Sequence, residues 1–200
     1  MVITPRGRRP GGPDTRGQIL EAARESFAHR GFVSTTIRAV ASAAGVDPAL
    51  VHHYFGSKDD LFIAALEIPA DPRSIVPMVF AEGIDGAGER LIRVFLGVWE
   101  DPAARLPLIA LVRTSLGDDG PVNLLREGML RMIFGPLTSI LPPNEADRRA
   151  QLVASQLIGL VVGRYLLRLE PLASMTPDEL VAWVAPTLQR YLDGPTPLIS

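Results

Sequence analysis

The sequence predicts an all-α protein of about nine to ten helices, and two observations lead to this prediction. Apolar residues recur at the three- and four-residue spacing of an amphipathic helix along most of the chain, and no segment shows the sustained alternation of a β-strand. Glycine and proline interrupt the pattern at intervals, as they do at helix ends. The 200 residues suffice for one or two small domains with a sizeable core.

The composition excludes several classes of site. The chain has no cysteine, so disulfides and cysteine-ligated metal centres are excluded, and a reducing cytoplasm is the expected location. The most apolar long stretch, residues 152–169, is interrupted by Gln156, Arg164 and Arg168. It therefore predicts a buried helix and argues against a membrane span, which needs about 20 mostly apolar residues.

Charge is distributed unevenly along the chain. Residues 1–58 contain 8 basic and 4 acidic side chains, whereas residues 59–200 contain 12 and 18. This asymmetry indicates either that the N-terminal part of the chain binds a polyanion or that the charges cluster there by chance. Residues 1–13 are basic and rich in proline and glycine, without the apolar core of a secretion signal, and we expect them to form a disordered arm.

The first helix is predicted from Thr15 to about Arg30. Asp14 or Thr15 can cap its start, and Gly31 supplies a left-handed residue at its end. Its inner face is apolar at helical spacing and consists of Ile19, Leu20, Ala23 and Phe27.

Two short helices follow within the predicted first domain, residues 14–58. The second helix runs over residues 36–44, behind a threonine cap, and Gly45 ends it. Asp47 is a good N-cap for the third helix, and Pro48 occupies a first helical position, where its missing N–H costs no hydrogen bond. Gly56 ends the third helix.

The remaining residues, 59–200, are predicted to form a helical regulatory and dimerisation domain. The helix that leads into it runs from Ser57 to Ile68, with Ser57 and Asp60 forming a short capping box. Glycine and proline breaks delimit further helices near residues 72–82, 88–99, 102–117, 121–141, 145–169 and 177–193.

The segment from Thr35 to Phe55, TTIRAVASAAGVDPALVHHYF, has the pattern of a helix-turn-helix. Ala41 is small enough for two helices to cross, Gly45 permits the turn, and Val46 and Val51 seal the crossing. Such a third helix has the dimensions to enter a DNA major groove, about 12 Å wide. The residues left on its outer face are Pro48, Ala49, His52 and His53.

Residues Gly17 to Leu61 resemble the DNA-binding domain of the TetR family of bacterial repressors. The matching stretches are ILEAARESFAHRGF, TTIRAVASAAGV and HHYFGSKDDL. The resemblance implies a cytoplasmic, dimeric, sequence-specific regulator that a small-molecule effector releases from a palindromic DNA operator. Two rival functions remain open, a helical enzyme and a protein-interaction module without specific DNA binding. Neither a catalytic constellation nor a cofactor motif favours the enzyme.

The resemblance also assigns roles to individual residues. The positions at which family members usually contact base edges are occupied here by Pro48, Ala49 and His53. The positions at which they usually contact phosphates are occupied by Thr36, His52, Tyr54 and Lys58. Arg38 is expected to reach the backbone as well, and the arm arginines either enter a minor groove or only keep the arm solvated. Tyr54 is open between the core and the DNA surface, whereas Phe55 is expected in the core.

This sequence departs from the common family pattern at two positions. Family members often have a polar residue where Pro48 stands and a tyrosine where His52 stands. Pro48 and Ala49 offer only apolar contacts, for example to a thymine methyl group, so His53 and the arm carry more of the expected specificity. The adjacent His52 and His53 diverge by about 100° on a helix, so we expect no metal site there.

The second domain carries predicted sites for a second copy and for an effector. The helices near 145–169 and 177–193 are the expected dimer interface, which the resemblance also implies; the alternative is a purely internal core helix. A lone arginine in an apolar helix either pairs within the fold, for instance with Glu100, or anchors an anionic ligand, and pairing is the favoured reading. The candidate effector-binding residues are Phe95, Trp99, Arg113, Met129, Phe134 and Arg164.

Overall fold

A computed structural model describes residues 14–68, 71–117, 127–128 and 130–196. Every regular element in these ranges is helical and none is a β-strand, as the sequence predicts. The chain divides into two compact units, one ending at Ala65 and the other beginning at Leu66. The sequence predicts this boundary at residue 58. The predicted basic arm, residues 1–13, lies outside the described ranges.

The first unit consists of four helices around an aromatic core. Their bounds are α1 (Thr15–Ser34), α2 (Ile37–Ala43), α3 (Pro48–Phe55) and α4 (Lys58–Ala65). Phe62 of α4 packs edge-on against Phe27 and Phe32 of α1, with ring centroids 5.1 and 5.0 Å apart. Nε of Arg24 donates to the carbonyl of Ala65, 2.8 Å away, and so caps the end of α4. These contacts explain why α4 belongs to the first unit.

The four helix starts use the caps that the sequence predicts. Each cap side chain accepts a hydrogen bond from a backbone N–H that has no partner inside the helix. The pairs are Asp14 with Gly17, Thr36 with Ala39, Asp47 with Ala49, and Ser57 with Asp60. The Asp60 carboxylate in turn accepts from the Ser57 backbone N–H at 3.1 Å, which completes the predicted capping box.

The first helix extends beyond its predicted end. Gly31 has φ 73° and ψ 174°, so it leaves the helical conformation as expected, but the chain resumes a helical turn that ends at Ser34. The buried hydroxyl of Thr35 stabilises this turn, since it lies 2.8 Å from the carbonyl of Gly31 and 3.0 Å from that of Ser26.

The second unit is built from six further α-helices in the described residues. Their bounds are α5 (Ile75–Val79), α6 (Ala87–Trp99), α7 (Pro102–Gly117), α8 (Gly135–Thr138), α9 (Ala146–Leu160) and α10 (Pro177–Asp193). A 3₁₀ turn, Pro72–Ser74, precedes α5, and π-helical segments at Leu130–Phe134 and Val161–Leu166 adjoin α8 and α9.

In the second unit, α6 and α10 pack closely against each other. A Cβ atom on Gly88 would lie 2.6 Å from the carbonyl oxygen of Ala185 and from the backbone nitrogen of Gln189. The side chain of Gln189 accepts from the N–H of Gly88 at 2.8 Å and donates to the carbonyl of Ile84 at 2.9 Å. Glycine therefore allows the two backbones to meet, and the amide of Gln189 connects them.

Three predicted helices of this unit have different bounds in the structure. The helix expected at 72–82 is a 3₁₀ turn followed by α5, which ends at Val79. The described part of the helix expected at 121–141 changes from π- to α-helix and ends at Thr138. The helix expected at 145–169 ends as the π-helical segment at Leu166, and Arg168 then has a positive φ of 52°.

Candidate nucleic-acid interface

The α2–α3 crossing is tight because its contact residues are small or branched. Ala41 is 1% exposed, and Val40 and Val51 are fully buried. Gly45 adopts φ 66° in the turn, and the N–H of Val46 donates to the carbonyl of Ala41 at 2.9 Å. The helix-turn-helix that the sequence predicts is therefore present, and it holds α3 in a fixed orientation relative to α2.

The outer face of α3 is exposed. Val51 and Phe55 point into the unit, and Pro48 is half-buried at the start of the helix. The exposed residues are Ala49, Leu50, His52, His53 and Tyr54. This face combines small, apolar and imidazole side chains, so it can make both van der Waals contacts and hydrogen bonds to base edges.

His52 is oriented by its own helix. Its Nδ1 lies 2.8 Å from the carbonyl oxygen of Gly56. Because a carbonyl only accepts, Nδ1 carries the proton in this bond, and Nε2 is the nitrogen left for an outside partner. The neighbouring ring of His53 instead packs against Tyr54, with centroids 5.5 Å apart.

Thr36 and Lys58 lie at the start of α2 and of α4. The exposed Thr36 caps α2 by accepting from the N–H of Ala39 at 3.1 Å. Nζ of Lys58 donates to the carbonyl of Val33 at 3.1 Å and lies 4.4 Å from the ring centroid of Phe32. The ammonium is thus held beside the turn that leads into Thr36. Arg38, two residues after Thr36, is exposed.

Tyr54 and Phe55 have different environments. Tyr54 is 40% exposed, whereas Phe55 is 8% exposed and belongs to the core. Phe55 thus lies where the sequence analysis expected it, and Tyr54 has a surface that an outside group can reach.

Two exposed residues of the first unit were missed by the sequence analysis. Leu50 lies next to Ala49 and one turn before His53, and it is 37% exposed. Its position on the helix is readable, but nothing in the local pattern marks an apolar residue next to Val51 as exposed. The exposed Arg16 lies over the ring of Phe55, with its Cζ 5.3 Å from the centroid. This contact joins α1 to α3, and no local pattern indicates it.

The candidate effector residues of the second unit do not all come together. Trp99 stacks between Phe95 and Tyr165, with ring centroids 5.7 and 5.2 Å away. Phe134 packs against the main core of the unit instead. The side chain of Arg113 and the whole of Met129 lie outside the described residues.

Arg164 is paired within the fold. It is 8% exposed, and its Nε and Nη2 donate to Oε1 of Glu100 at 3.0 and 2.9 Å. Its Nη1 donates to the carbonyls of Leu172 and Ala173. These bonds use four of the five N–H groups of the guanidinium. Of the two roles that the sequence left open, pairing with Glu100 is the one observed.

Tyr165 completes this partly buried cluster by donating from its hydroxyl to Oε1 of Glu100 at 2.9 Å. Burial opposes ionisation of Glu100, but the hydrogen bonds from Tyr165 and Arg164 outweigh it, and the pKa of Glu100 is lowered. Burial, together with the bond to Glu100, raises the pKa of Tyr165 to about 12. The cluster is therefore a neutral tyrosine beside an ionised pair at pH 7.

The described part of the chain contains neither a metal cluster nor a membrane span. Within it, no group of three or more histidine, aspartate or glutamate side chains has an arrangement that could hold a metal ion. No helix in these same ranges has both the length and the apolar character of a membrane span.

Family models match both units of the chain. Residues 19–65 match the model described as bacterial regulatory proteins, tetR family, and residues 85–192 match a tetracyclin repressor-like C-terminal domain. The first match contains the whole helix-turn-helix, and the second begins before α6 and ends at Leu192, one residue before the end of α10.

Individual relatives agree with these models. A TetR-family regulator of solved structure from Streptomyces coelicolor A3 is 39% identical, with a TM-score of 0.55, over 93% of this chain and 98% of that one. The transcriptional regulator BetI of Agrobacterium fabrum is 27% identical over 91% of this chain and 92% of its own length. The BetI protein of Brucella anthropi is 43% identical over 54 residues, which span 27% of this chain and only 28% of that relative. The chain belongs to the TetR family of bacterial transcriptional regulators.

Proposed function

We propose that this protein is a repressor that binds a palindromic DNA operator through α3 and is released by a small-molecule effector in the bacterial cytoplasm. The observation that supports DNA binding most directly is the exposed face of α3, presented by a sealed α2–α3 crossing whose turn, cap and small residue are all in place. A rigid helix with this exposure has the dimensions to enter a major groove.

The proposed contacts fall into two groups. Base edges are read by Pro48, Ala49 and His53, and Leu50 adds an apolar contact beside them. Phosphates are bound by Thr36, Arg38, His52, Tyr54 and Lys58. Hydroxyl, imidazole, guanidinium and ammonium groups all donate hydrogen bonds to phosphate oxygens, and these contacts position the helix without reading sequence.

We further propose that two copies pair through α9 with its π-helical end and through α10, the segments 145–169 and 177–193. Exposed apolar side chains on these helices support this pairing: Leu152 is 40%, Ile158 50% and Trp183 77% exposed. Gly159 has no atom within 4 Å of the place where a Cβ would lie, so a helix of a second copy can approach closely there. A two-fold dimer would present two recognition helices about 34–36 Å apart, which requires a palindromic operator.

The effector is proposed to bind the second unit near Phe95 and Trp99, with Arg113, Met129 and Phe134 as further candidates. Arg164 is less suited to contact it because its donors are occupied by Glu100 and two carbonyls. By linkage, the effector lowers operator affinity only if it binds the DNA-free arrangement better than the DNA-bound one.

Selection of bound duplexes from a random DNA pool tests the DNA-binding part of this proposal. We expect enrichment of a palindrome whose half-sites lie about 10 base pairs apart. His53→Ala should relax the preference at one position in each half-site, whereas Ser42→Ala, on the exposed side of α2, should leave the selected sequence unchanged. A pool with no preferred sequence would contradict the proposal.

A further inference from the structure

Arg16 occupies the first turn of α1, next to the end of the recognition helix. The N-cap Asp14 commits its carboxylate to the N–H of Gly17 at 3.0 Å. The guanidinium of Arg16 extends toward α3, where its Cζ lies 5.3 Å from the ring centroid of Phe55.

Phe55 gives this guanidinium a rigid support. The ring is 8% exposed and is the last residue of α3, so its position is set by the core of the first unit. A cation over an aromatic face is attracted by the negative charge density of the ring. Arg16 is therefore positioned relative to α3 although its side chain belongs to α1.

The charge of Arg16 is not neutralised by a carboxylate in the residues that the structure describes. Arg24, eight residues further along α1, pairs with Glu21 at 3.2 Å and caps Ala65. Arg16 is exposed and makes no such pair. An exposed guanidinium with its N–H groups available is a donor set that matches the oxygens of a phosphate.

We infer that Arg16 is a phosphate-binding residue of the DNA interface, at the opposite end of α1 from Lys58; this inference rests on the proposed DNA binding. Lys58 lies over Phe32, beyond the break in α1 at Gly31. The two cations lie over different rings, Arg16 over Phe55 and Lys58 over Phe32. Each therefore makes its own contribution to the release of counterions from DNA.

The salt dependence of binding tests this inference without knowledge of the operator. The probe is a 30-base-pair duplex of random sequence, and affinity is measured by fluorescence anisotropy between 50 and 200 mM salt. We expect Arg16→Gln to reduce the slope of log K against log salt by about 0.9 for each recognition helix bound. The ratio of wild-type to variant affinity then shrinks roughly 3.5-fold per helix across this range.

Two further variants serve as controls for the loss of charge at Arg16. Arg16→Lys keeps the charge and should retain the slope. Arg93→Gln removes one positive charge from the exposed surface of α6 and should also leave the slope unchanged. Circular dichroism confirms that each variant is folded. A slope for Arg16→Gln equal to that of the wild type overturns the inference, whereas absence of salt-dependent binding by the wild type itself overturns the proposed function.

Discussion

Asp47 brings a negative charge to the start of the recognition helix. Its carboxylate accepts from the N–H of Ala49 at 2.8 Å and so caps α3, next to the half-buried Pro48. A carboxylate is among the best caps for a helix N-terminus, but it repels the phosphates that a recognition helix approaches. Stability and DNA affinity therefore make opposite demands on this residue.

Substitutions at Asp47 should separate these two demands. Asp47→Asn keeps a capping oxygen and removes the charge, so we expect unfolding free energy within about 0.5 kcal/mol of the wild type and tighter binding to a random duplex. Asp47→Ala removes the cap as well and should cost about 1 kcal/mol. Urea denaturation and anisotropy measure the two effects. Weaker DNA binding by a fully folded Asp47→Asn protein would contradict this account.

Glu100 predicts a pH dependence of stability. Burial disfavours its charge, but Tyr165 and Arg164 lower its pKa in the folded state. Its stabilising contribution is therefore present above its ordinary value of 4.5 and is lost as pH falls through the lowered pKa. Glu100→Gln should cost about 1 to 2 kcal/mol at pH 7, and the difference from wild type should disappear in acid.

The exposed pair of Glu89 and Arg93 provides a control for this measurement. Both side chains are more than half exposed, so Glu89→Gln should change stability by less than about 0.5 kcal/mol at every pH. Urea denaturation from pH 3 to 7 compares the two variants. An equal loss of unfolding free energy for Glu89→Gln and Glu100→Gln would mean that the cluster of Glu100, Arg164 and Tyr165 stabilises the protein no more than an exposed ion pair does.

At the scale of helices, the structure shows which features the sequence can predict. Caps and turns are local, so Asp47–Pro48, Gly45 and the Ser57–Asp60 box were all readable in the chain. The π-helical segments were not, because their i→i+5 bonds insert one residue into a turn without changing which residues are apolar. The predicted helix, residues 145–169, therefore extends beyond the observed π-helical end at Leu166.

For contacts between residues far apart in the chain, the sequence indicates that a partner is needed but does not identify it. Arg164 and Glu100 are 64 residues apart, and the sequence indicated that a buried arginine needs a partner without deciding which one. The sequence pattern does not indicate the stacking of Arg16 on Phe55, because an exposed arginine at a helix start is ordinary. The exposed face of α3 was predictable because one short motif contains nearly all of it.

The packing of α6 on α10 makes a specific prediction for two glycines of the same helix. Gly88→Ala would place a methyl group 2.6 Å from the backbone of α10 and should cost about 1–3 kcal/mol. Gly97→Ala meets no atom within 4 Å and should stabilise by about 0.5–1 kcal/mol. Thermal unfolding of the two variants gives the comparison. Equal effects at the two sites would show that the helices can separate to admit the methyl group.

At the scale of the whole molecule, the proposed pairing makes Trp183 important. An indole that is 77% exposed is an unusual surface residue, and aromatic anchors contribute most to protein interfaces. Trp183→Arg should raise the dissociation constant of the dimer by about 30-fold or more. Met78→Arg, at a residue 55% exposed outside the two pairing helices, serves as the control. Sedimentation that gives the same association for Trp183→Arg and wild type would contradict this interface.

Lys58 is the single lysine of the chain, and its amine lies beside the turn that precedes α2. An amine-selective acylating reagent therefore has one side-chain target, and its rate of reaction there reports on one place in the molecule. If a phosphate covers that amine in the complex, bound DNA will slow the acylation of Lys58, and mass spectrometry will follow occupancy of the interface without any engineered label.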